Sequence, residues 1–423
     1  MKKIKVVLIG AGGRGTIYTN IMADMPNEFE VVAVAEPNES RRNNIKNRHN
    51  IPDERCFTDW REMFELGKIA DLAIIATQDR DHFEPGMKAI GLGYDLLLEK
   101  PIAPTAEECN TLTAYAKEKN AKVVVCTVLR YTPLFMTLKD IIDSGRIGDI
   151  MSINHEECVG NRHQSHSFVR GNWHNEEKSA CMILAKSCHD TDLLQWLIGK
   201  KCKKVQSFGS LSFFTEKNKP EGAPEFCIQG CPNGDKCMYN AVKMYVEDYT
   251  YLRWITPDIP YEELSEEIAL DVITNTDYGR CVFRCDNDVV DHQTVNMLFE
   301  DDVTVTFTMN AFNKGGRFIH IMGTKGEIRA ALDENQPITV YDFASDTTEE
   351  IPMEGKDGID GGHGGGDGGI IRDLYEYLNG CYTGKSVPEI EESNENHLIA
   401  FAADKARKTN TVVDFDEYVK SLS

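Results

Sequence analysis

Gly10, Gly12 and Gly15 stand directly after the apolar run Val6-Val7-Leu8-Ile9, and this juxtaposition narrows the possible folds sharply. Four consecutive apolar residues suit a strand buried on both faces. In a G-x-G-x-x-G turn each glycine has a mechanical role. Gly10 allows the tight turn, Gly12 lets backbone approach a pyrophosphate, and Gly15 lets the following helix pack close to the strand. Gly13 and Arg14 complete the turn. The helix that continues from it offers free N–H groups and a positive dipole end to phosphate oxygens. A second strand, Phe29–Ala35, ends in Glu36, 21 residues after Gly15. A carboxylate there can bind both ribose hydroxyls and repels a 2′-phosphate, so the expected cofactor is NAD; Arg41 and Arg42 keep NADP open.

The pattern of alternating strand and helix continues through a polar helix at Glu39–His49, a strand at Ala70–Thr77 and a helix at Asp81–Gly91. A strand at Tyr94–Leu98 follows, then a helix at Ala106–Lys119 with Thr105 and Glu108 as capping box, and a strand at Lys122–Thr127. Such alternation predicts an α/β fold with a parallel, doubly wound sheet, here residues 1–130. Ligands of such sheets lie at the carboxyl ends of the strands, where Thr77 and Glu99-Lys100-Pro101 also fall.

From Tyr131 the pattern changes. A helix at Leu134–Ser144 is followed by alternating runs at Met151–Glu157, Lys204–Phe214, Thr294–Phe299, Val303–Met309 and Arg317–Met322. They predict a C-terminal α/β domain, residues 131–423, with an open, mainly antiparallel sheet. A polar, cysteine-containing insertion occupies about 215–290. Gly361–Gly369 is expected to be a mobile loop, since glycines at this density do not hold regular structure; a helix at Ile370–Cys381 follows.

Length and composition bound the partners. The 423 residues leave room for two cores, and 41% apolar with 27% charged residues is the composition of a soluble globular protein. A net charge of −22 argues against nucleic acid and anionic membranes, and no run of 18 apolar residues exists to span a membrane. Met1-Lys2-Lys3 leads into the first strand, which the pattern assigns to the fold and not to a signal peptide. Thirteen cysteines, an odd number scattered mostly among apolar residues, suit a reducing cytoplasm.

One known family shares an ordered set of these features. Gly10-Ala11-Gly12-Gly13-Arg14-Gly15, Glu36, Glu99-Lys100-Pro101, Gly145-Arg146-Ile147-Gly148 and His189-Asp190-Thr191-Asp192 resemble the glucose–fructose oxidoreductase/inositol dehydrogenase (Gfo/Idh/MocA) family over nearly the whole chain, the insertion apart. The resemblance implies a Rossmann domain joined to a domain whose open sheet walls the sugar site and often forms an oligomer interface, hence a homo-oligomer, dimer or tetramer. It implies hydride transfer between NAD(P) and a secondary hydroxyl of a sugar, cyclitol or glycoside. Two other readings stay open: a glycoside-cleaving enzyme that recycles a tightly bound NAD, and an inactive sugar or NAD sensor.

Hydride transfer needs a group to take the hydroxyl proton. Lys100, aimed by its strand end, is one candidate, and the resemblance places it in the active site. Lys186 and His189, three residues apart and so expected on one helical face, form the second set. Members of the family commonly carry an aspartate four residues before this histidine; here that position is Ala185, with Lys186 beside it. His189 is therefore the expected acid/base, with Lys186 or Lys100 tuning it or replacing the carboxylate. Thr77, Glu99 and Lys100 are expected around the cofactor. His163, His166, Arg170 and Trp173, in one polar loop, are candidates for binding sugar hydroxyls and stacking on a sugar ring. His363 and Asp367 stand in the glycine-rich segment, either as a lid over the substrate or in a plain connector. Cys227, Cys231, Cys237 and Cys281 can be read as a structural zinc or iron–sulfur site or as free thiols.

Overall fold

The computed structural model describes residues 1–332, 336–353 and 365–422. Its first sheet is built from β1 (Ile4–Ile9), β2 (Phe29–Ala35), β3 (Cys56–Phe57), β4 (Leu72–Ile75), β5 (Asp95–Leu98) and β6 (Val123–Val125). The strands pair in parallel in the order β3-β2-β1-β4-β5-β6. Alternation along β1 explains its apolar run: Val6 and Leu8 enter one core, Val7 and Ile9 the core on the opposite face. Strand order reverses between β1 and β4, and that reversal opens a crevice at their carboxyl ends.

The second sheet holds β7 (Ile150–Cys158), β8 (Cys202–Ser210), β9 (His292–Phe299), β10 (Thr304–Asn310), β11 (Gly316–Gly323), β12 (Gly326–Ala331), β13 (Ile338–Asp342), β14 (Thr347–Ile351) and β15 (Val413–Asp414). Its order is β14-β13-β12-β11-β7-β10-β9-β8-β15, antiparallel except for the parallel pair β7 and β10. One face packs Ile153, Val205, Val295, Val305 and Ile319 against the helices Pro133–Asp143, Cys188–Ile198 and Ile390–Thr409. The other face leaves Phe208 and Phe318 exposed. The fold is thus α/β, a parallel Rossmann sheet followed by a mixed, mostly antiparallel sheet, as the sequence pattern predicts.

The C-terminal part departs from expectation. Gly366–Leu378 forms a helix, so the loop expected over Gly361–Gly369 does not hold for Gly366–Gly369. A Cβ on Gly366 would lie 2.3 Å from the Val128 carbonyl oxygen, and one on Gly369 2.6 Å from Tyr131 Cβ. These glycines therefore serve close packing of the helix. Ile370, Ile371 and Leu374 then join the core of the first domain, and Val125 N–H donates to the Pro388 carbonyl. His363 lies outside the described residues.

Residues 211–291 connect β8 to its direct neighbour β9. Buried Asp291 pins the root of this insertion by accepting N–H bonds from Ser212 and Phe213 at 3.0 and 2.7 Å. Small cores of its own hold it together, one around Met244, Tyr245 and Ile273 and another around Leu252, Leu264 and Val272. Among the described residues no helix is long and apolar enough to cross a membrane.

Candidate active site

The glycine-rich turn fits a dinucleotide. Gly10 has φ +88°, and a Cβ there would meet the Ala76 carbonyl oxygen at 2.5 Å; one on Gly15 would meet the Gly10 carbonyl oxygen at 2.1 Å. Nothing lies within 4 Å of a Cβ built on Gly12 or Gly13. The first pair is needed for close packing inside the protein, while the second leaves backbone open to a ligand. The helix Gly13–Ala23 begins without a side-chain cap, so its first N–H groups remain available to phosphate oxygens. At the end of β2, the Glu36 carboxylate accepts from Ala11 N at 2.7 Å and Asn38 N at 2.9 Å, which fixes it beneath the turn. Arg42 donates to the Glu36 and Pro37 carbonyls. Thr77, beside Gly10, donates its hydroxyl to the Asp81 carbonyl.

Arg14 is placed under the turn by acidic partners. It pairs with Glu99 at 2.8 Å and with Asp367 at 2.6 Å, and donates to the Tyr18 hydroxyl, which in turn donates to Glu99. Burial opposes a charge on Glu99, yet Arg14 and Lys100 hold its carboxyl below the usual range. Asp367, fully buried in the first helical turn after Gly366, is therefore part of the support beneath the cofactor turn and not of a lid.

Lys100 follows β5, and its peptide to Pro101 is cis. Its Nζ donates to the Ala185 carbonyl at 3.1 Å, so the first domain's strand end meets the turn that leads to His189. Two buried histidines hold the next residues: His82 Nδ1 lies 2.7 Å from the Pro101 oxygen, and Ile102 N–H donates to His397 Nε2 at 3.1 Å. Burial pushes His397 down to about 4, which keeps the ring neutral and Nε2 free to accept. Neither histidine belongs to a local motif, so only the folded chain brings them to this turn.

The expected shared helical face of Lys186 and His189 is corrected by a break between them. Lys186 ends the short helix Met182–Ala185, Ser187 is non-helical (φ −100°, ψ 11°), and buried His189 sits in the first turn of Cys188–Ile198. Lys186 instead finds an acid on the sheet, with Nζ 3.1 Å from Glu157. Strand alternation turns His155 and Glu157 to the buried face of β7, and register sets Arg317 of β11 opposite Glu157. Arg317 Nε lies 2.7 Å from Glu157 and 2.8 Å from Asp190, and His155 Nε2 lies 2.8 Å from Asp190. Burial alone would raise Asp190, but Arg317 and His155 hold it far below the carboxylate range. Asp192 is gripped by Arg130 through two bonds of 2.7 and 2.6 Å and by Asn396 at 2.7 Å. The two aspartates of the His-Asp-Thr-Asp motif thus anchor the helix that carries His189. Sequence reasoning missed Glu157 and Arg317; alternation in β7 was the available signal, since it turns a glutamate inward.

The polar loop divides. Burial, with Lys186, His166 and Arg317 opposing a proton, drives His163 far below its ordinary range. His166 packs among Tyr245, Tyr251, Trp254 and Tyr278, and burial lowers it to about 3. Arg170 is buried and donates to the Arg280 and Tyr239 carbonyls, holding the insertion against the loop. Trp173 donates its indole N–H to Asp79 at 3.0 Å. Of the two readings of the cysteines, the metal site finds no support. Cys227, Cys231, Cys237 and Cys281 line one small cavity with Val282 and Phe283, but no cluster among the described residues is arranged to hold a metal. All thirteen cysteines are free thiols, and burial raises Cys237 and Cys281.

A Rossmann sheet with an acid at the end of β2, and with Lys100 bonded from the end of β5 to the turn before His189, is the arrangement of a nucleotide-dependent oxidoreductase. Residues 4–127 match the oxidoreductase family with an NAD-binding Rossmann fold, and residues 135–329 match the GFO/IDH/MocA C-terminal domain. The chain belongs to the Gfo/Idh/MocA oxidoreductase family. It is 26% identical over 330 residues to the oxidoreductase YteT of Bacillus subtilis, a match covering 74% of each chain. Against inositol 2-dehydrogenase of Salmonella typhimurium identity is 26% over 207 residues, which is 48% of this chain and 57% of that protein. The scyllo-inositol dehydrogenase structure from Lactobacillus casei with NAD(H) and scyllo-inositol superposes with a TM-score of 0.66 at 18% identity, covering 98% of this chain and 100% of that one.

Proposed function

We propose that the protein is an NAD-dependent dehydrogenase acting on a secondary hydroxyl of a sugar, cyclitol or glycoside. The observation that carries this reading is the 3.1 Å bond from Lys100 Nζ to the Ala185 carbonyl, which joins the cofactor domain to the turn before His189. Gly10, Gly12, Gly13, Gly15 and Glu36 would hold the dinucleotide, with Arg14, Thr77 and Glu99 supporting the turn and strand ends. NAD, when bound, supplies the hydride acceptor. Lys100 holds the reacting hydroxyl oxygen through Nζ, and His189 takes its proton at a ring nitrogen. Lys186 keeps positive charge beside the alkoxide that develops, and Glu157 fixes Lys186 from the sheet, occupying the role of the aspartate that Ala185 replaces. The Glu36 carboxylate favours NAD over NADP, and Arg42 is engaged by backbone carbonyls. Among the loop candidates His163 is the one whose protonation Lys186 and Arg317 oppose, and it would meet the substrate. Phe208 and Phe318 on the open sheet face support a homo-oligomer.

The test is NADH absorbance after mixing purified protein and NAD with a panel of sugars, cyclitols and glycosides, with products identified by mass. A rise with one substrate, lost in His189→Ala, is expected. Glycoside cleavage with no net NADH would replace this reading with recycled-cofactor chemistry, and tight NAD binding with no product from any member would favour a sensor.

A further inference from the structure

Sequence reasoning gave the task of stacking on a sugar to Trp173, but that indole is turned to Asp79. The insertion supplies another. Trp254 is 46% exposed although its ring is held edge-on by three neighbours: His163 at 5.2 Å, His166 at 5.5 Å and Tyr251 at 5.0 Å between centroids. His163 lies in the segment that continues from the carboxyl end of β7, six residues after Glu157, the acid paired with Lys186 at 3.1 Å. Burial keeps the ring neutral, and one nitrogen is bonded to the Val159 backbone, which leaves the other to accept from a sugar hydroxyl. Four residues after Trp254, Asp258 comes within 4.0 Å of Arg41 on the helix that follows Glu36. The arm 251–258 thus runs from the rings of His163 and His166 to the helix Glu39–His49 that follows Glu36.

We infer that this arm adds an outer sugar subsite, in which Trp254 stacks on the apolar face of a second sugar ring and His163 bonds a hydroxyl between that ring and the reacting one. The substrate is then a glycoside of at least two rings. An exposed aromatic plane followed by a neutral hydrogen-bonding ring matches the two surfaces of a sugar, an apolar ring face and a hydroxyl rim. This inference rests on the proposed function for the inner ring, whereas the arm itself is read from the insertion's own contacts.

Titration calorimetry of the NAD-loaded protein with glucose, galactose, cellobiose and lactose tests it, in wild type, Trp254→Ala and Trp254→Phe. At least one disaccharide is expected to bind more tightly than its monosaccharide. Trp254→Ala should weaken that disaccharide roughly 2- to 10-fold and leave the monosaccharide unchanged, while Trp254→Phe keeps most of the preference. No disaccharide preference in wild type, a preference that survives Trp254→Ala, or equal losses for both sugar sizes would overturn the subsite. Binding is read without turnover, so a preference of the expected kind without NADH formation counts against the hydride chemistry and leaves the subsite standing.

Discussion

Replacing Gly12 by alanine separates ligand approach from folding. Gly12 has φ −70°, a backbone that alanine adopts freely, and a Cβ there meets nothing within 4 Å. The apo protein should therefore lose no stability, and reduced freedom of the unfolded chain should add about 0.4–1 kcal/mol. The methyl group, however, stands where a pyrophosphate would approach backbone N–H groups. Loss of one charge-assisted hydrogen bond is worth about 1.5–3 kcal/mol, or roughly 10- to 150-fold in affinity for NADH. Gly15→Ala is the contrasting control. Its Cβ would lie 2.1 Å from the Gly10 carbonyl oxygen, which is backbone and cannot swing aside, so overpacking should cost at least about 1–3 kcal/mol. NADH fluorescence titration and urea unfolding of both variants measure the two effects. A Gly12→Ala protein with unchanged NADH affinity, or one that unfolds as easily as Gly15→Ala, would refute the reasoning.

Other perturbations probe the supports. Asp192→Asn leaves buried Arg130 with only partly exposed Glu392 as its acid, so about 3 kcal/mol of stability should disappear in urea unfolding; a change below about 1 kcal/mol would show that the pair does not anchor the helix. Glu157→Gln removes a negative charge beside Lys186 and Arg317, which opposes protonation nearby; the acid limb of kcat/KM should move to lower pH, and an unmoved limb would remove Glu157 from the site's electrostatics. His397 is depressed to about 4 in the fold, while an unfolded histidine titrates near 6.5. Its contribution is complete above about pH 6.5 and falls away as pH drops toward 4, by about 3 kcal/mol, because only the unfolded chain binds the proton in that window. Unfolding free energies flat from pH 6.5 to 4.5 would contradict this.

Much of the cofactor half was legible because its determinants are local. The Val6–Ile9 run, the glycine spacing and Glu36 lie within one strand–helix–strand unit, and period and turn chemistry specify such units directly. The second half was legible in its central strands but not in β12 to β15, where short runs such as Ile338–Asp342 follow turns without a distinct signal. The glycine-rich segment misled for a physical reason: glycine weakens an isolated helix, but Gly366 and Gly369 lie where any side chain would strike Val128 or Tyr131, and tertiary packing overrides propensity. At the site, Lys100 and His189 were visible through motifs. Glu157, Arg317, His82 and His397 come from four separate elements and converge only in three dimensions. The cysteine spacing left a metal knuckle and free thiols both open, and in the fold these cysteines line a small cavity with Val282 and Phe283.

The return of the helix Gly366–Leu378 to the first domain bears on how this chain is made. Ile370, Ile371 and Leu374 complete a core whose other members precede Tyr131, apart from nearby Tyr375 and Val387, and Asp367 closes the ion pair of Arg14. During synthesis, the nucleotide-binding half leaves the ribosome more than 200 residues before its last core side chains exist. Until then an apolar groove faces solvent and Arg14 lacks one of its acids. A nascent chain in this condition is a natural client for a chaperone that covers apolar surface, and a fragment ending near residue 130 would keep that groove permanently.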